Sequence, residues 1–220
     1  MVISILALVL PWPLRRAALV HILGYKIHRT ARIGFSIICP IRLEMGPGAM
    51  IGNLNFCRAG IELLQLGECG VLGNLNWICG EPLGDVGLFA HQEDRRPELI
   101  IGEHAAITNR HLIDCTDSFV VGRFSTVAGW NSQILTHSID IERCRQSSAP
   151  IHIGDYCFIG TNSVLLGGSY LPDYCVLGAK SLLNKQYTER YWLYAGVPAK
   201  PTKQLSPDLA YFTRSRGAVD

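Results

Sequence analysis

Residues 153–184 read IGDYCFIGTNSVLLGGSYLPDYCVLGAKSLLN, and this stretch places an aliphatic side chain at every sixth position. A small residue stands two positions before each of these aliphatics after the first, and the residue that follows mostly tolerates a sharp bend. A helix repeats every 3.6 residues and a strand every 2, so neither explains a period of six. The period indicates a parallel β-helix whose coils have three short faces. The aliphatic positions are Ile153, Ile159, Leu165, Leu171, Leu177 and Leu183, and the small ones are Cys157, Ser163, Ser169, Cys175 and Ser181.

The same register covers most of the chain, with interruptions near residues 58–65, 79–99, 114–120 and 134–150. A repeat array accommodates insertions at its corners, because they leave the stacked core undisturbed. We therefore predict an all-β domain of coils over residues 25–203. An apolar segment, 1–24, precedes this domain, and an extension, 204–220, follows it. Within the extension, proline at position 207 favours the start of a short helix.

Composition narrows the possible functions. The formal charge of +2 provides no basic surface of the kind that nucleic acid binding requires. Eight cysteines are present, but no two have the CxxC spacing of a metal or redox site. We interpret them as small buried side chains of a protein that resides in a reducing cytoplasm.

Residues 1–24 leave two interpretations open. The first apolar run, 2–10, is too short to span a bilayer, which needs about 20 residues. The charged pair Arg15-Arg16 follows this run, whereas a secretory signal has its charges in front. In the first interpretation, the segment is a helix that packs on the end of the β-helix or on another subunit. In the second, it is an amphipathic segment that lies on the inner membrane surface.

A more specific pattern occupies the last long interruption. The segment Thr136-His137-Ser138-Ile139-Asp140 precedes a polar extension, and residues 150–160 then read PIHIGDYCFIG. Together with Gly196-Val197-Pro198-Ala199-Lys200-Pro201 near the end, this resembles the hexapeptide-repeat O-acetyltransferases, the maltose and galactoside group in particular. The resemblance is clearest over residues 101–203. It implies a left-handed β-helix, a homotrimer and acetyl-CoA as the acyl donor.

The resemblance also implies roles for individual residues. His137 matches the family's general base, and an imidazole with a pKa near 6.5 suits proton removal from a hydroxyl group at neutral pH. Gly160 matches a position that contacts the oxyanion or the cofactor, and Phe158 takes the place of a tryptophan that packs on the cofactor. The remaining positions implied for the donor are Gly178, Ala179, Lys180, Lys185 and Lys200.

The acceptor site is implied less directly, by the coil that precedes His137. We expect the acceptor to contact Asn109, His111, Asp114, Trp130 and Asn131. Asp114 has two other possible roles, orienting His137 or capping a corner turn. The insertion at residues 80–99 is either a solvated loop or a cover for the acceptor.

These observations predict an acetyl-CoA-dependent O-acetyltransferase that acts on a sugar hydroxyl, free or lipid-linked, in bacterial surface polysaccharide assembly. N-acetylation of an amino sugar is the alternative among enzymes, and a non-catalytic scaffold is the alternative among other classes. Zinc chemistry of the related carbonic anhydrases needs two histidines five residues apart, which this sequence lacks, so no metal is expected.

Overall fold

The computed structural model describes residues 2–84 and 87–219, and most of this chain winds through three parallel sheets. Sheet 1 contains Lys26–Ile27, Arg42–Met45, Leu63–Leu66, Glu98–Ile101, Phe119–Val121, Ile151–Ile153 and Tyr170–Leu171. Sheet 2 contains Arg32–Ile33, Met50–Ile51, Val71–Leu72, Ala106–Ile107, Thr126–Val127, Phe158–Ile159, Val176–Leu177, Trp192–Gly196 and Ala199–Gln204. Sheet 3 contains Ile37–Ile38, Phe56–Cys57, Trp77–Cys79, Leu112–Asp114, Gln133–Leu135, Val164–Leu166 and Leu182–Leu183.

Each coil visits the three sheets in turn, so the molecule is a three-sided prism. We name its edges corner 1–2, corner 2–3 and corner 3–1, after the sheets that each one joins. Neighbouring strands are parallel except the last two of sheet 2, which are antiparallel. A separate antiparallel hairpin, His137–Asp140 with Arg145–Ser148, projects from corner 3–1.

The core is built from the positions that the six-residue period predicts. All six aliphatic residues of the deciding stretch are at most 2% exposed, and so are the five small residues that precede them. Cys157 and Cys175 belong to this small inward class, and all eight cysteines are free thiols. The expectation that all eight are buried is wrong for Cys144, which is exposed on the hairpin, and Cys69 and Cys79 are only half-buried. The outer side of sheet 3 is also apolar, because six of its seven strands begin with an apolar side chain that points outward. These residues are Ile37, Phe56, Trp77, Leu112, Val164 and Leu182.

The N-terminal segment closes one end of the prism. It consists of the helix Val2–Leu6, the 3-10 turn Ala7–Val9 and the helix Trp12–Leu23. Arg15 is buried, and its guanidinium group donates to the backbone carbonyls of Gly34 and Ser36 at 2.7 and 2.9 Å. Leu19 joins the hydrophobic core. The structure thus supports the interpretation that the segment packs on the end of the β-helix.

The C-terminal extension folds back along corner 1–2. That corner carries a column of stacked rings, each on a residue with positive φ: His104, Phe124, Tyr156, Tyr174 and Tyr191. The helix Ala210–Thr213 packs Phe212 edge-on against Tyr174 and Tyr191. A short helix was expected in this extension, and it begins at Ala210 rather than beside Pro207 because the intervening residues form a turn.

Candidate active site

Three consecutive coils elaborate the same corner, and the candidate site lies among them. At corner 3–1 the third coil carries the insertion of residues 80–97, the next carries the turn that follows Asp114, and the next carries the His137 hairpin. Asp114 is the last residue of the sheet 3 strand in the middle one of these coils, and it pairs with Leu135 of the next coil. His137, two residues beyond Leu135, is therefore brought above Asp114.

His137 and Asp114 form a hydrogen-bonded dyad. His137 Nδ1 lies 2.7 Å from Asp114 Oδ2, and the His137 backbone N–H donates to the same oxygen at 3.0 Å. The imidazole is 40% exposed while the carboxyl group is 4% exposed. Because an ionised carboxylate only accepts, Nδ1 carries the proton and Nε2 is left as the basic nitrogen. A buried acid thus holds a reachable base in one orientation.

The pKa values of Asp114 and His137 both differ from those of the free side chains. Burial raises the pKa of Asp114, but hydrogen bonds from His137, Thr116 and Thr136 outweigh it, so that its pKa lies below the usual value. The hydrogen bond to Asp114 raises the pKa of His137, and this effect exceeds the opposing desolvation. The carboxylate is therefore ionised at neutral pH, and the imidazole is a stronger base than a free histidine.

Two buried threonines fix the carboxylate. The Thr116 hydroxyl donates to Asp114 Oδ1 at 2.7 Å, and the Thr136 hydroxyl donates to Oδ2 at 2.9 Å. Arg95, itself buried, donates to the Thr116 carbonyl at 2.8 Å and to the carbonyls of Glu81 and Pro82 at 2.6 Å each. The arginine thereby ties the insertion to the turn that holds Asp114.

The insertion also touches the hairpin directly. Phe89 presents its ring edge-on to the His137 ring, with 6.2 Å between the centroids. Gln92 accepts from the Ser148 backbone N–H at 2.8 Å and donates to the Ser148 carbonyl at 2.9 Å. Ser148 in turn pairs with His137 in the hairpin. The sequence predicts either a solvated loop or a cover for the acceptor at this insertion. No local pattern identifies Phe89 or Gln92, because their partners lie 48 and 56 residues away.

A polar cleft of about 670 Å³ opens beside the base of the hairpin, between the insertion and sheet 1. Its lining mixes cations, carboxylates and neutral polar groups. They include His91, Gln92, Asp94, Arg96, Asp117, Ser148 and His152. No sequence pattern predicts this cleft, because it depends on the packing of the insertion.

The residues implied for the donor lie on several surfaces. Gly160 and the turn Gly178 to Lys180 stack on one another at corner 2–3, where a Cβ on Gly160 would lie 2.5 Å from Ala179 N. Phe158 and Lys200 lie on sheet 2, where Phe158 is half-buried and meets the ring of Tyr211 edge-on. Lys185 lies at corner 3–1, with its ammonium group 5.2 Å from the Tyr187 ring centroid.

The backbone N–H groups of Gly160 and of the turn at residues 178–180, which we call the donor turn because the acyl donor is expected there, differ in whether they already have a hydrogen-bond acceptor. Those of Gly160, Gly178 and Lys180 donate within the coil ladder, to the carbonyls of Leu177, Tyr194 and Thr161. Among the described residues, no acceptor takes the Ala179 N–H, and Ala179 is exposed. Of these four groups, the Ala179 N–H is the donor that a ligand could use.

Three of the residues implied for the acceptor also lie at corner 2–3. The Asn109 amide oxygen accepts from the backbone and side chain of Asn74 at 2.8 and 2.9 Å, within a ladder of corner asparagines. Trp130 is half-exposed and lies under the Arg110 guanidinium group at 4.9 Å. Asn131 follows in the same turn and is exposed, with positive φ.

His111 lies in the core. It is 2% exposed, its Nδ1 accepts from the Ser132 N–H at 3.2 Å, and its Nε2 lies 3.2 Å from the Thr108 hydroxyl. Burial lowers its pKa to about 4, so the ring is neutral. Both nitrogens already have partners, and this placement does not support an acceptor role.

Within one chain, the dyad and the donor turn lie on different edges. His137 and Asp114 are at corner 3–1, whereas Gly178, Ala179 and Lys180 are at corner 2–3. A strand of sheet 3 separates these edges, about 10 Å for three residues. A single chain therefore does not bring all the predicted site residues together.

The described residues form neither a cluster of metal ligands nor a membrane-spanning helix. Within residues 2–84 and 87–219, no three His, Cys, Asp or Glu side chains converge in a way that could hold a metal ion. Over the same residues, no helix combines the length and apolarity needed to cross a bilayer.

Comparison with known proteins supports the fold. No family model and no curated protein matches the sequence. Among solved structures, a hexapeptide-repeat-containing acetyltransferase from Vibrio cholerae is 16% identical, with 93% of this chain and 87% of that chain covered and a TM-score of 0.52. A hexapeptide transferase family protein from Anaplasma phagocytophilum is 16% identical over 86% of this chain and 84% of that chain, with a TM-score of 0.47. The first likeness confirms the predicted fold class, a left-handed parallel β-helix of hexapeptide repeats.

Proposed function

We propose that this protein is an acyltransferase that moves an acetyl group from acetyl-CoA to a sugar hydroxyl in bacterial surface polysaccharide assembly. The observation that carries the proposal is the dyad, in which a buried, ionised Asp114 orients the half-exposed imidazole of His137 on a projecting hairpin. General-base catalysis of this kind contributes about 10²–10⁴ in rate. Nothing in the packing of the β-helix core requires such a dyad.

The reaction follows from the protonation states. His137 Nε2 removes the proton of the sugar hydroxyl as its oxygen forms a bond to the thioester carbonyl carbon. The C–S bond then breaks, and the imidazolium returns the proton to the departing coenzyme A sulfur. Asp114 stabilises the imidazolium between these steps, since it stays ionised. The oxyanion formed at the carbonyl needs a donor, and the Ala179 N–H of a neighbouring copy is our candidate.

We propose a homotrimer because one chain leaves the site incomplete. Sheet 3 lies between the two corners concerned, and its outer face is apolar, with Trp77 54% exposed and in ring contact with Phe56 at 4.7 Å. Closed cyclic symmetry across this face would bring corner 2–3 of one copy toward corner 3–1 of the next. His137 of one chain would then face Ala179 of its neighbour.

Binding roles follow from this arrangement. The donor would contact Gly160, Gly178, Ala179 and Lys180, with Phe158 beside its pantetheine arm. Lys185 and Lys200 would meet its phosphates, whose charges favour ammonium partners. The acceptor would enter from the polar cleft beside the hairpin, with Trp130, Asn131 and Asn109 completing its site from the neighbouring copy.

The location that we propose is the cytoplasm, at the inner face of the membrane, where lipid-linked acceptors are assembled. Eight free thiols suit a reducing compartment. Support for a position at the membrane comes from the exposed surface of the N-terminal segment, which is described in the next subsection.

The experiment that tests the function measures coenzyme A release from acetyl-CoA against nucleotide sugars, lipid-linked sugars and oligosaccharide fragments. His137→Ala should reduce turnover by at least about 10²-fold while leaving acetyl-CoA affinity unchanged. His21→Ala, which removes an exposed histidine from the N-terminal helix, is the matched control and should retain full turnover.

The product distinguishes the alternatives. An O-acetyl ester is cleaved by mild hydroxylamine, whereas the amide formed by N-acetylation of an amino sugar resists it. Absence of turnover with every acceptor, in a trimer that also fails to bind acetyl-CoA, would favour the scaffold.

A further inference from the structure

The outer surface of the N-terminal segment has the reverse of the usual polarity. Terminal elements that close a repeat array normally present a polar outer face, because they protect the core from water. Here the large apolar side chains point outward. They are Ile5, Leu6, Val9, Leu10, Leu14 and Ile22, and Val9 is 85% exposed.

The arginines of this segment point the other way. Arg15 is buried against the carbonyls of Gly34 and Ser36, and Arg16 donates to the Ile27 carbonyl at 2.5 Å. The segment thus directs its arginines, one buried and one half-buried, to the protein side and exposes leucine, valine and isoleucine side chains.

Charge is also distributed unequally along the chain. Residues 1–43 contain six of the 20 Lys and Arg residues and none of the 18 Asp and Glu residues. The remainder therefore has 14 cations and 18 anions, so a region of charge +6 is joined to one of −4. The first coil lies against the N-terminal segment, since Arg15 and Arg16 bond to its backbone.

Two of these cations have no anionic partner among the described residues. Arg29 and Arg32 are exposed, and neither has a carboxylate within salt-bridge distance in that part of the chain. Arg32 donates instead to the neutral backbone carbonyls of Arg29 and Ala31, at 3.1 and 2.9 Å. By contrast, Lys26 is bonded to Glu44 at 2.8 Å. The first coil, on which the apolar segment packs, thus carries two exposed guanidinium groups that no described carboxylate neutralises.

We propose that this end of the prism docks on a lipid bilayer with anionic headgroups. The docking surface consists of the six outward apolar residues together with Arg29 and Arg32 of the first coil. Aliphatic side chains would enter the boundary between headgroups and acyl chains, while the guanidinium groups pair with lipid phosphates. A soluble protein partner explains the apolar surface but not the exposed cations of the first coil. This inference does not depend on acyl transfer, because vesicle binding is measured without substrate.

The test uses the full-length protein and sedimentation with vesicles. Wild type should bind vesicles of phosphatidylglycerol and phosphatidylcholine, bind pure phosphatidylcholine much more weakly, and be released by high salt. Leu6→Ser/Val9→Ser/Leu14→Ser should weaken binding by at least about tenfold, through lost apolar burial. Arg29→Gln/Arg32→Gln should weaken it by about 25-fold, at about fivefold for each cation near an anionic surface.

Matched controls carry the same chemical changes away from the N-terminal segment. Val197→Ser/Leu209→Ser/Val219→Ser removes three exposed apolar side chains, and Arg145→Gln/Lys203→Gln removes two exposed cations that form no salt bridge among the described residues. Both controls should bind the anionic vesicles as wild type does. The proposal is overturned if wild type does not bind them or binds both vesicle types equally. It is also overturned if either N-terminal variant binds normally, or if the apolar variant changes the oligomeric state in light scattering.

Discussion

Asp114 and His137 meet because they extend two neighbouring strands of sheet 3 past the same corner. Asp114 ends its strand opposite Leu135, and His137 follows Leu135 by two residues. The stacking of coils therefore brings together two residues that are 23 positions apart. Asp114 thus belongs to the repeat geometry, whereas His137 is the first residue of the hairpin that is added to it.

Replacement of the carboxylate should change the pH dependence of turnover. The base must be neutral to act, and Asp114 raises the pKa of His137, so kcat/KM should fall as pH drops through a value above 6.5. In Asp114→Asn the imidazole loses that stabilisation, so the decline should move to lower pH and kcat should fall at least about tenfold. An Asp114→Asn enzyme whose pH profile matches wild type would show that the carboxylate does not control the base.

Removal of the hydrogen bonds between Gln92 and the hairpin should lower turnover and leave the affinity for acetyl-CoA unchanged. Gln92→Ala deletes the bonds to Ser148, so the His137 hairpin should be held less firmly. We expect kcat to fall about tenfold while the acetyl-CoA dissociation constant stays within about twofold, because misplacing a catalytic group is costly. Gln204→Ala, an exposed glutamine on sheet 2, is the control. If Gln92→Ala and Gln204→Ala changed kcat equally, Gln92 would not position the hairpin for catalysis.

The cleft beside the hairpin should govern acceptor binding. His152→Ala and Arg96→Ala each remove one hydrogen-bonding group from its lining. The KM for the sugar should rise about fivefold in each, the equivalent of one hydrogen bond, with the KM for acetyl-CoA unchanged. Lys203→Ala, away from the cleft, should change neither constant. If these variants raised only the KM for acetyl-CoA, the acceptor would not bind in this cleft.

His111 should make the fold sensitive to mild acid. Its pKa is lowered to about 4 by burial, so the folded protein resists protonation of a group that titrates near 6.5 when unfolded. Stability present above pH 6.5 should be lost as pH falls toward 4, by about 3 kcal/mol in total. His111→Gln is neutral throughout, so its urea midpoint should depend less on pH in this window, whatever its absolute stability. A variant with the wild-type slope would contradict this assignment.

The buried arginine of the N-terminal segment should be needed for folding. Arg15→Met leaves the carbonyls of Gly34 and Ser36 without their donor, and we expect a loss of about 2–4 kcal/mol in unfolding free energy. Arg29→Met, at an exposed position of the first coil, should change stability by no more than about 0.5 kcal/mol. Chemical denaturation of both variants distinguishes a structural arginine from a surface one.

The sequence predicts the core far better than the site, for a physical reason. Each aliphatic position such as Leu165 is set by the six-residue period, so burial can be read directly from spacing. The period locates the interruption that contains His137, but the role expected for His137 comes from the family resemblance of that segment. Gln92 and Phe89 follow no period, and their role depends on how an irregular insertion folds over the next two coils. The inward orientation of Arg15 depends likewise on the packing of the N-terminal helix.

The stacking of coils sets the distance of His137 from the first coil along the prism. Four steps in sheet 3 separate Ile37–Ile38 of the first coil from Gln133–Leu135, which leads into His137. At about 4.8 Å for each step, the His137 imidazole stands about 19 Å above the first coil. With the first coil resting on lipid, a monosaccharide attached directly to a lipid anchor would remain out of reach. The substrate would then be the outer end of a saccharide chain already several residues long, and the modification would come late in its growth.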